Sequence, residues 1–437
     1  MPTATLPELP KGREFEELVA AVFQSSGMFV ERDLTEREEV EVLQLDAIST
    51  DYRERPPVLH LVEAKSGKWG FKDIFKIKGW MTYLNIPRAC LITTEPRERP
   101  EAYRRLAAKI GVNLVVVEDV KNCREALGPL VGPGSVDDVD VWSWRFWYWA
   151  ERRMIERLRA QHRGQPEVRR FDAILDHAFR INSGVFFTET IAERVEALYA
   201  TYSDYRNLAG RCGQEMSGGA FDNPDARIPE PLFNATFYDC ALNEIQVATF
   251  MEHKARLTLL KAAVDYLSYK SDGQVNKAEK TVTWKLDGKD YVMSLASFPD
   301  RFEQALAELG TEPHFRRYPI FWQWFLGVFG GFILKDYQDR DYARLAEKSG
   351  IPVEALPQAF AAFDKLFPVD GGWFRDDPNS NVRVLVLYPV PLRGVGANYR
   401  RALYTKDRKF EQLDVTKIHT RKDLSKWNNA VVELLTA

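Results

Sequence analysis

The chain has 437 residues, 45% of them hydrophobic, and a formal net charge of -3. That length predicts two or three domains with packed cores, and the slight acidity excludes a protein that grips nucleic acid over its whole surface. No apolar run of about twenty residues occurs and Met1 to Pro10 does not read as a signal peptide, so no membrane association and a cytoplasmic location are expected.

The first predicted element is a helix from Gly12 to Phe23, with Phe15, Leu18, Val19, Val22 and Phe23 at helical spacing and Gly27 beyond its end. It also carries two acids, Glu16 and Glu17. Val40 to Ile48 and Val58 to Lys65 are apolar and β-branched, and the Tyr52 to Pro57 turn between them predicts a hairpin. Alternation places Leu59, Leu61, Glu63 and Lys65 on one face of the second strand, and Val58, His60, Val62 and Ala64 on the other. If Asp46 on the neighbouring strand faces the same side as Glu63 and Lys65, two carboxylates and an ammonium converge at the end of a small sheet.

Those residue types suit phosphodiester hydrolysis. Magnesium prefers oxygen ligands and is held by one or two carboxylates plus substrate phosphate oxygens. Asp46 and Glu63 supply the carboxylates, and the main-chain carbonyl of Ala64 is a further candidate ligand. Lys65 is placed to orient the attacking water or to neutralise charge building on phosphate oxygens. Mg2+ is the expected cofactor, with Mn2+ as a substitute.

Further elements follow in order: a helix from Lys72 to Leu84, a strand Arg88 to Thr93, a helix from Glu101 to Ile110 and a strand Val112 to Val117. Taken together, Gly12, Phe15 and Glu16 on the first helix, the strand bearing Asp46 and the strand ending Glu63-Ala64-Lys65 make residues 11 to 119 resemble the PD-(D/E)xK nuclease superfamily. Within it, the resemblance is to the restriction-endonuclease-like group that includes Mrr-type enzymes. It implies an α/β domain with a mixed sheet flanked by helices, Asp46 and Glu63 as metal ligands, Lys65 as the catalytic lysine and Glu16 as a supporting acid, with Glu17 the alternative. A role in prokaryotic defence or DNA processing is also implied. Many relatives carry a glycine close to the first acid and Gln or Cys before the lysine, whereas here Gln44-Leu45-Asp46-Ala47 and Glu63-Ala64-Lys65 leave the essential triad intact.

Lys65, Lys68, Lys72, Lys76 and Lys78 follow the site, and Lys68 and Lys72 are candidate phosphate contacts. Gly128-Pro129 and Gly132-Pro133-Gly134-Ser135 predict a linker over residues 126–138, closing a nuclease domain at 1–125. Residues 139–335 are expected to form a mainly helical domain. It opens on Trp142, Trp144, Phe146, Trp147, Tyr148 and Trp149, a density of rings that favours burial between domains over a base-stacking platform. Phe171 to Ala209, Leu232 to Leu267 and Ile320 to Leu334 read as helices, and Thr281 to Leu295 as a small hairpin with a D-G turn.

Residues 336–437 form a smaller region. Tyr342 to Val353 and Ala355 to Phe367 resemble a helix-turn-helix, although a structural helix pair is the default because the second helix has few groove-reading groups. Arg393 to Lys426 holds ten basic residues against four acidic ones, which makes Arg400, Arg401, Arg408 and Lys409 candidate phosphate contacts. Cys90, Cys123, Cys212 and Cys240 form no C-x-x-C pair, which argues against a zinc knuckle and for reduced thiols. The expectation is a magnesium-dependent endonuclease acting on nucleic acid, with DNA as the expected substrate, as a homodimer or part of a larger complex. The alternative is a noncatalytic nucleic-acid-binding or complex-assembly protein on the same fold.

Overall fold

A computed structural model describes residues 6, 8–37, 41–132, 136–164, 191–202, 244–368, 374–376, 382–385 and 390–405. The chain opens with helix α1 (Arg13–Ser25) and then strands β1 (Phe29–Arg37), β2 (Glu41–Asp51) and β3 (Val58–Lys65). Helix α2 (Phe71–Tyr83), strand β4 (Arg88–Thr93), helix α3 (Pro100–Lys109) and strand β5 (Val112–Val116) complete an α/β unit. Its five strands lie in chain order. β1, β2 and β3 are antiparallel, while β3, β4 and β5 are parallel and connected through α2 and α3.

Alternation along β3 sorts its side chains as predicted. Leu61 joins Ile48, Leu91 and Leu114 beneath Ile74, Ile77 and Met81 of α2 and Ala107 of α3. Val62 and Ala64 join Ala47, Cys90 and Ile92 on the opposite face, under Phe15, Val19 and Val22 of α1. Cys90 and Cys123 are free, buried thiols, both pushed up to about 12 by burial.

β1 is absent from the expected elements. Glu31, Arg32, Asp33, Glu36 and Arg37 hide its strand character, and it pairs along almost the whole of β2. On its outer edge a side chain meets one residue: Gln323 accepts from the Val30 N–H at 3.2 Å and donates to the Val30 carbonyl at 2.8 Å.

The expected linker is shorter than 126–138. Helix α4 (Cys123–Val131) runs through Gly128 and Pro129 because Cys123, Leu127 and Val131 bury one stripe, and helix α5 (Asp138–Gly164) starts after a short connection. The aromatic run lies on α5, with Trp144, Phe146, Tyr148 and Trp149 buried in the core that includes α1. Helices α6 (Ile191–Tyr202) and α7 (Glu244–Asp272) follow, then the sheet β6 (Gln274–Asn276), β7 (Thr281–Leu286) and β8 (Lys289–Ser294) with its Asp287-Gly288 turn. Tyr52 donates to Asp265 of α7 at 2.6 Å and Tyr269 to the Pro57 carbonyl at 2.8 Å, so α7 is fastened to the β2–β3 turn.

After helix α8 (Asp300–Thr311), the helix expected over Ile320 to Leu334 is only α9 (Tyr318–Leu326), followed by strand β9 (Phe332–Leu334). Gly327, Gly330 and Gly331 break it. Gly330 has φ +64, and a Cβ there would lie 2.5 Å from the Leu392 carbonyl, so backbone from the C-terminal part occupies the space a longer helix would fill. The predicted helix pair is present as α10 (Gln338–Ser349) and α11 (Leu356–Leu366). α11 buries Leu356, Phe360 and Phe363, with Phe363 stacked on Trp322 at 4.2 Å, and its Lys365 is bound to Glu312. This is the packing of a structural pair. Strand β11 (Val382–Leu385) pairs antiparallel with both β9 and β10 (Phe374–Asp376), and helix α12 (Val390–Thr405) ends the described chain. Among the described residues no helix is long and apolar enough to cross a membrane.

Candidate active site

Asp46 lies on β2 one residue past the last registered pair, Ala47 with Val62, where β2 and β3 begin to part. With no ladder to complete, the Ala64 N–H donates to Asp46 Oδ2 at 2.7 Å. That bond holds the carboxylate against β3 beside Glu63. Glu63 is 2% exposed, one of its oxygens is 2.9 Å from Lys65 Nζ and 3.7 Å from Lys76 Nζ, and the other is buried with no hydrogen-bond partner. The predicted trio of Asp46, Glu63 and Lys65 is therefore brought together at the end of β3.

Glu16 arrives from the first turn of α1. The Gly12 N–H donates to Ser66 Oγ at 2.6 Å, tying the start of that helix to the loop after Lys65. Burial raises the Glu16 pKa, opposed by Arg32 and Arg13 and assisted by the charges of Asp33 and Glu63. Glu17 points elsewhere: it pairs with Arg152 of α5 at 3.1 Å and Arg32 at 3.7 Å inside the protein. Of the two helix acids, Glu16 is the one in the field of the site.

Negative charge exceeds what the fold neutralises here. Burial, then the charges of Glu63 and Glu16, push Asp46 up to about 8, against the pull of the Ala64 amide and Lys65. Burial works against the Lys65 ammonium, but the hydrogen bond and charge of Glu63, with the charge of Asp46, raise its pKa. Asp33 adds a further acid that sequence reasoning missed. The pairs Arg32 with Ala47 and Leu34 with Leu45 set it opposite Asp46, at a φ of +54 that aspartate tolerates better than most residues. No sequence signal marked it, because the strand it belongs to was not legible.

An orphaned buried oxygen on Glu63 and an under-neutralised Asp46 fit a hard divalent cation, which would bind through these two carboxylates. Among the described residues no group of three or more His, Cys, Asp or Glu is gathered for a metal, so the protein's share of such a site is this pair, with the Ala64 carbonyl as the main-chain candidate.

Lys68 and Lys72 are exposed beside the site on the loop and first turn that lead into α2. The C-terminal candidates separate. Arg400 is corrected: it is 0% exposed, and its guanidinium is bound to Asp341 at 2.9 and 3.0 Å and to the Phe329 and Gly396 carbonyls, so it meets no phosphate. A basic run in sequence does not reveal which members are internal. Arg401 is half-buried on the same helix, and Arg408 and Lys409 lie outside the described residues.

A cavity of about 250 Å³ lies at the other end of β3, between the β2–β3 turn, α7 and the β7–β8 hairpin, lined by Pro57, Leu59, Tyr269, Trp284 and Tyr291. Searches against protein-family models, curated proteins and solved structures each find no match to this chain.

Proposed function

We propose that the protein is a divalent-metal-dependent nuclease of restriction-endonuclease-like type that hydrolyses phosphodiester bonds, with DNA as its substrate. The observation that carries this reading is the Ala64 N–H to Asp46 bond, which sets one carboxylate beside buried Glu63 and Lys65 at the parting of two strands. A bound Mg2+ would supply Lewis acidity and a water of lowered pKa. Asp46 and Glu63 would hold it. Lys65, kept protonated by its ion pair with Glu63, serves as a hydrogen-bond donor and counter-charge to the phosphate oxygens, not as a base. Glu16 is placed to orient water on the α1 side.

A second reading has one observation in its favour: Glu63 already carries ion pairs to Lys65 and Lys76, as it would if the acids were structural and the protein only bound nucleic acid. Cleavage of plasmid, linear and single-stranded substrates by the full chain separates the two. Activity is expected with Mg2+ or Mn2+ and little with Ca2+, whose looser coordination supports binding better than in-line attack. Asp46→Ala, Glu63→Ala and Lys65→Ala should each abolish it at unchanged folded fraction, because members of a catalytic unit are not additive. Wild-type turnover in any of the three, or full activity in excess chelator, rejects the nuclease reading.

A further inference from the structure

Helix α2 is unusual on the side that faces solvent. Phe75 is 63% exposed and Phe71, one turn earlier, is 37% exposed with its ring stacked on Tyr103 of α3 at 4.2 Å. Single exposed rings are common on protein surfaces, but two in line along one helix at i and i+4 form a ridge. The residue after each ring is an exposed lysine: Lys72 follows Phe71 and Lys76 follows Phe75. Lys76 leads into the candidate site, its Nζ 3.7 Å from Glu63 and 4.0 Å from the Trp80 ring centre. The ridge thus shares its helix with a lysine that reaches the candidate acids.

The stretch of chain that carries the ridge is predominantly basic. Between Ser66 and Ile110 the chain carries ten basic and four acidic residues, whereas the whole chain is net negative. Of those four acids, Asp73 is bound to the Gly70 N–H and Glu101 to Arg104. A positive surface that also offers flat apolar rings has a specific complement. Duplex DNA presents phosphates to it but keeps its base faces stacked inside, so the lysines would be used and the rings would not. An unpaired strand presents both, and each base can lie on a ring irrespective of its identity.

We propose that the Phe71–Phe75 ridge of α2, with Lys72 and Lys76 beside it, is a stacking platform for unpaired bases, so that the substrate is a single strand or a single-stranded branch next to the scissile bond. This rests on the nuclease reading for its position beside a cutting site, and on exposure, spacing and charge for the binding itself.

The experiment measures binding of the full-length protein, in chelator so that nothing is cut, to fluorescent single-stranded, duplex and single-strand-tailed duplex oligonucleotides. The single strand and the tailed duplex should bind more tightly than the blunt duplex. Phe75→Ala should weaken single-strand binding by about tenfold or more, a factor equivalent to ~1.4 kcal/mol and within the range for one stacked base, while changing duplex binding less than about twofold. Phe75→Trp should restore it. Lys72→Gln should instead lower the salt dependence on every substrate. Equal affinity for duplex and single strand, or unchanged single-strand affinity in Phe75→Ala, overturns the platform. So does a dimer in sedimentation that Phe75→Ala dissociates without affecting oligonucleotide affinity, which would assign the ridge to a second copy of the chain. Adding Mg2+ to the same samples keeps the two readings apart: Phe75-dependent binding without cleavage rejects the nuclease and retains the platform, and cleavage indifferent to Phe75 does the reverse.

Discussion

Replacing Arg400 by alanine should remove a large part of the protein's stability reserve, while any nucleic-acid binding by the molecules that remain folded should be unchanged. The side chain is fully buried on α12, with Nε 2.9 and 3.0 Å from the two Asp341 oxygens and Nη1 3.0 and 3.1 Å from the Phe329 and Gly396 carbonyls. Its other terminal nitrogen donates to the Phe332 carbonyl, and the guanidinium lies over the Phe332 ring at 4.1 Å. Removing it leaves the Asp341 charge buried, still accepting from the Leu334 N–H at 3.1 Å and from Tyr404, and strips three carbonyls of a donor. Breaking a buried pair from one side costs about 3–5 kcal/mol, and an orphaned acceptor about 1–3 kcal/mol. These terms overlap, so the expected loss is about 5 kcal/mol, a third or more of the ~5–15 kcal/mol by which most proteins are stable. Urea unfolding followed by tryptophan fluorescence reads the loss, and Arg400→Met with Asp341→Leu should recover part of it because no unpaired charge then remains. A variant that unfolds within about 1 kcal/mol of wild type yet loses a unit of salt dependence in DNA binding would refute this account and return Arg400 to the phosphate-contacting set.

Two further outcomes follow from the same geometry. Glu16→Ala should slow cleavage without moving the unfolding midpoint, whereas Glu17→Ala, which strands Arg152 and Arg32, should lower stability by about 2 kcal/mol and leave turnover per folded molecule intact; the opposite split, read by urea unfolding beside cleavage, would mean that Glu17 serves the site. His60 is held down to about 4 from an ordinary 6.5, first by burial and then by Arg88. An unfolded chain therefore takes up this proton at a pH where the folded chain refuses it, and stability falls as pH drops from about 6.5 to about 4. His60→Gln should remove that decline, about 3 kcal/mol across the window, and identical wild-type and mutant pH profiles would count against the burial.

Local pattern was sufficient for much of the N-terminal unit. The apolar spacing of Phe15, Val19 and Val22 marked α1, β-branched runs marked β2 and β3, and strict alternation placed Glu63 with Lys65 on one face, because a strand's side-chain period is a property of its own backbone. That Asp46 faces the same side as Glu63 was conditional in the sequence, because alternation along one strand does not set its register against the next; the Ala47–Val62 register and the Ala64 N–H bond decide it. What sequence did not contain was which charges have partners. Glu31 on β1 is bound by Arg194 and Lys261, more than 160 residues away, and Arg400 is bound by Asp341. In isolation the first group makes a strand look like a loop, and the second makes an internal ion pair look like a DNA-binding surface. A charge is polar in any sequence, but whether it faces water or a counter-ion depends on segments brought together only by the tertiary fold, where desolvation and pairing decide its role.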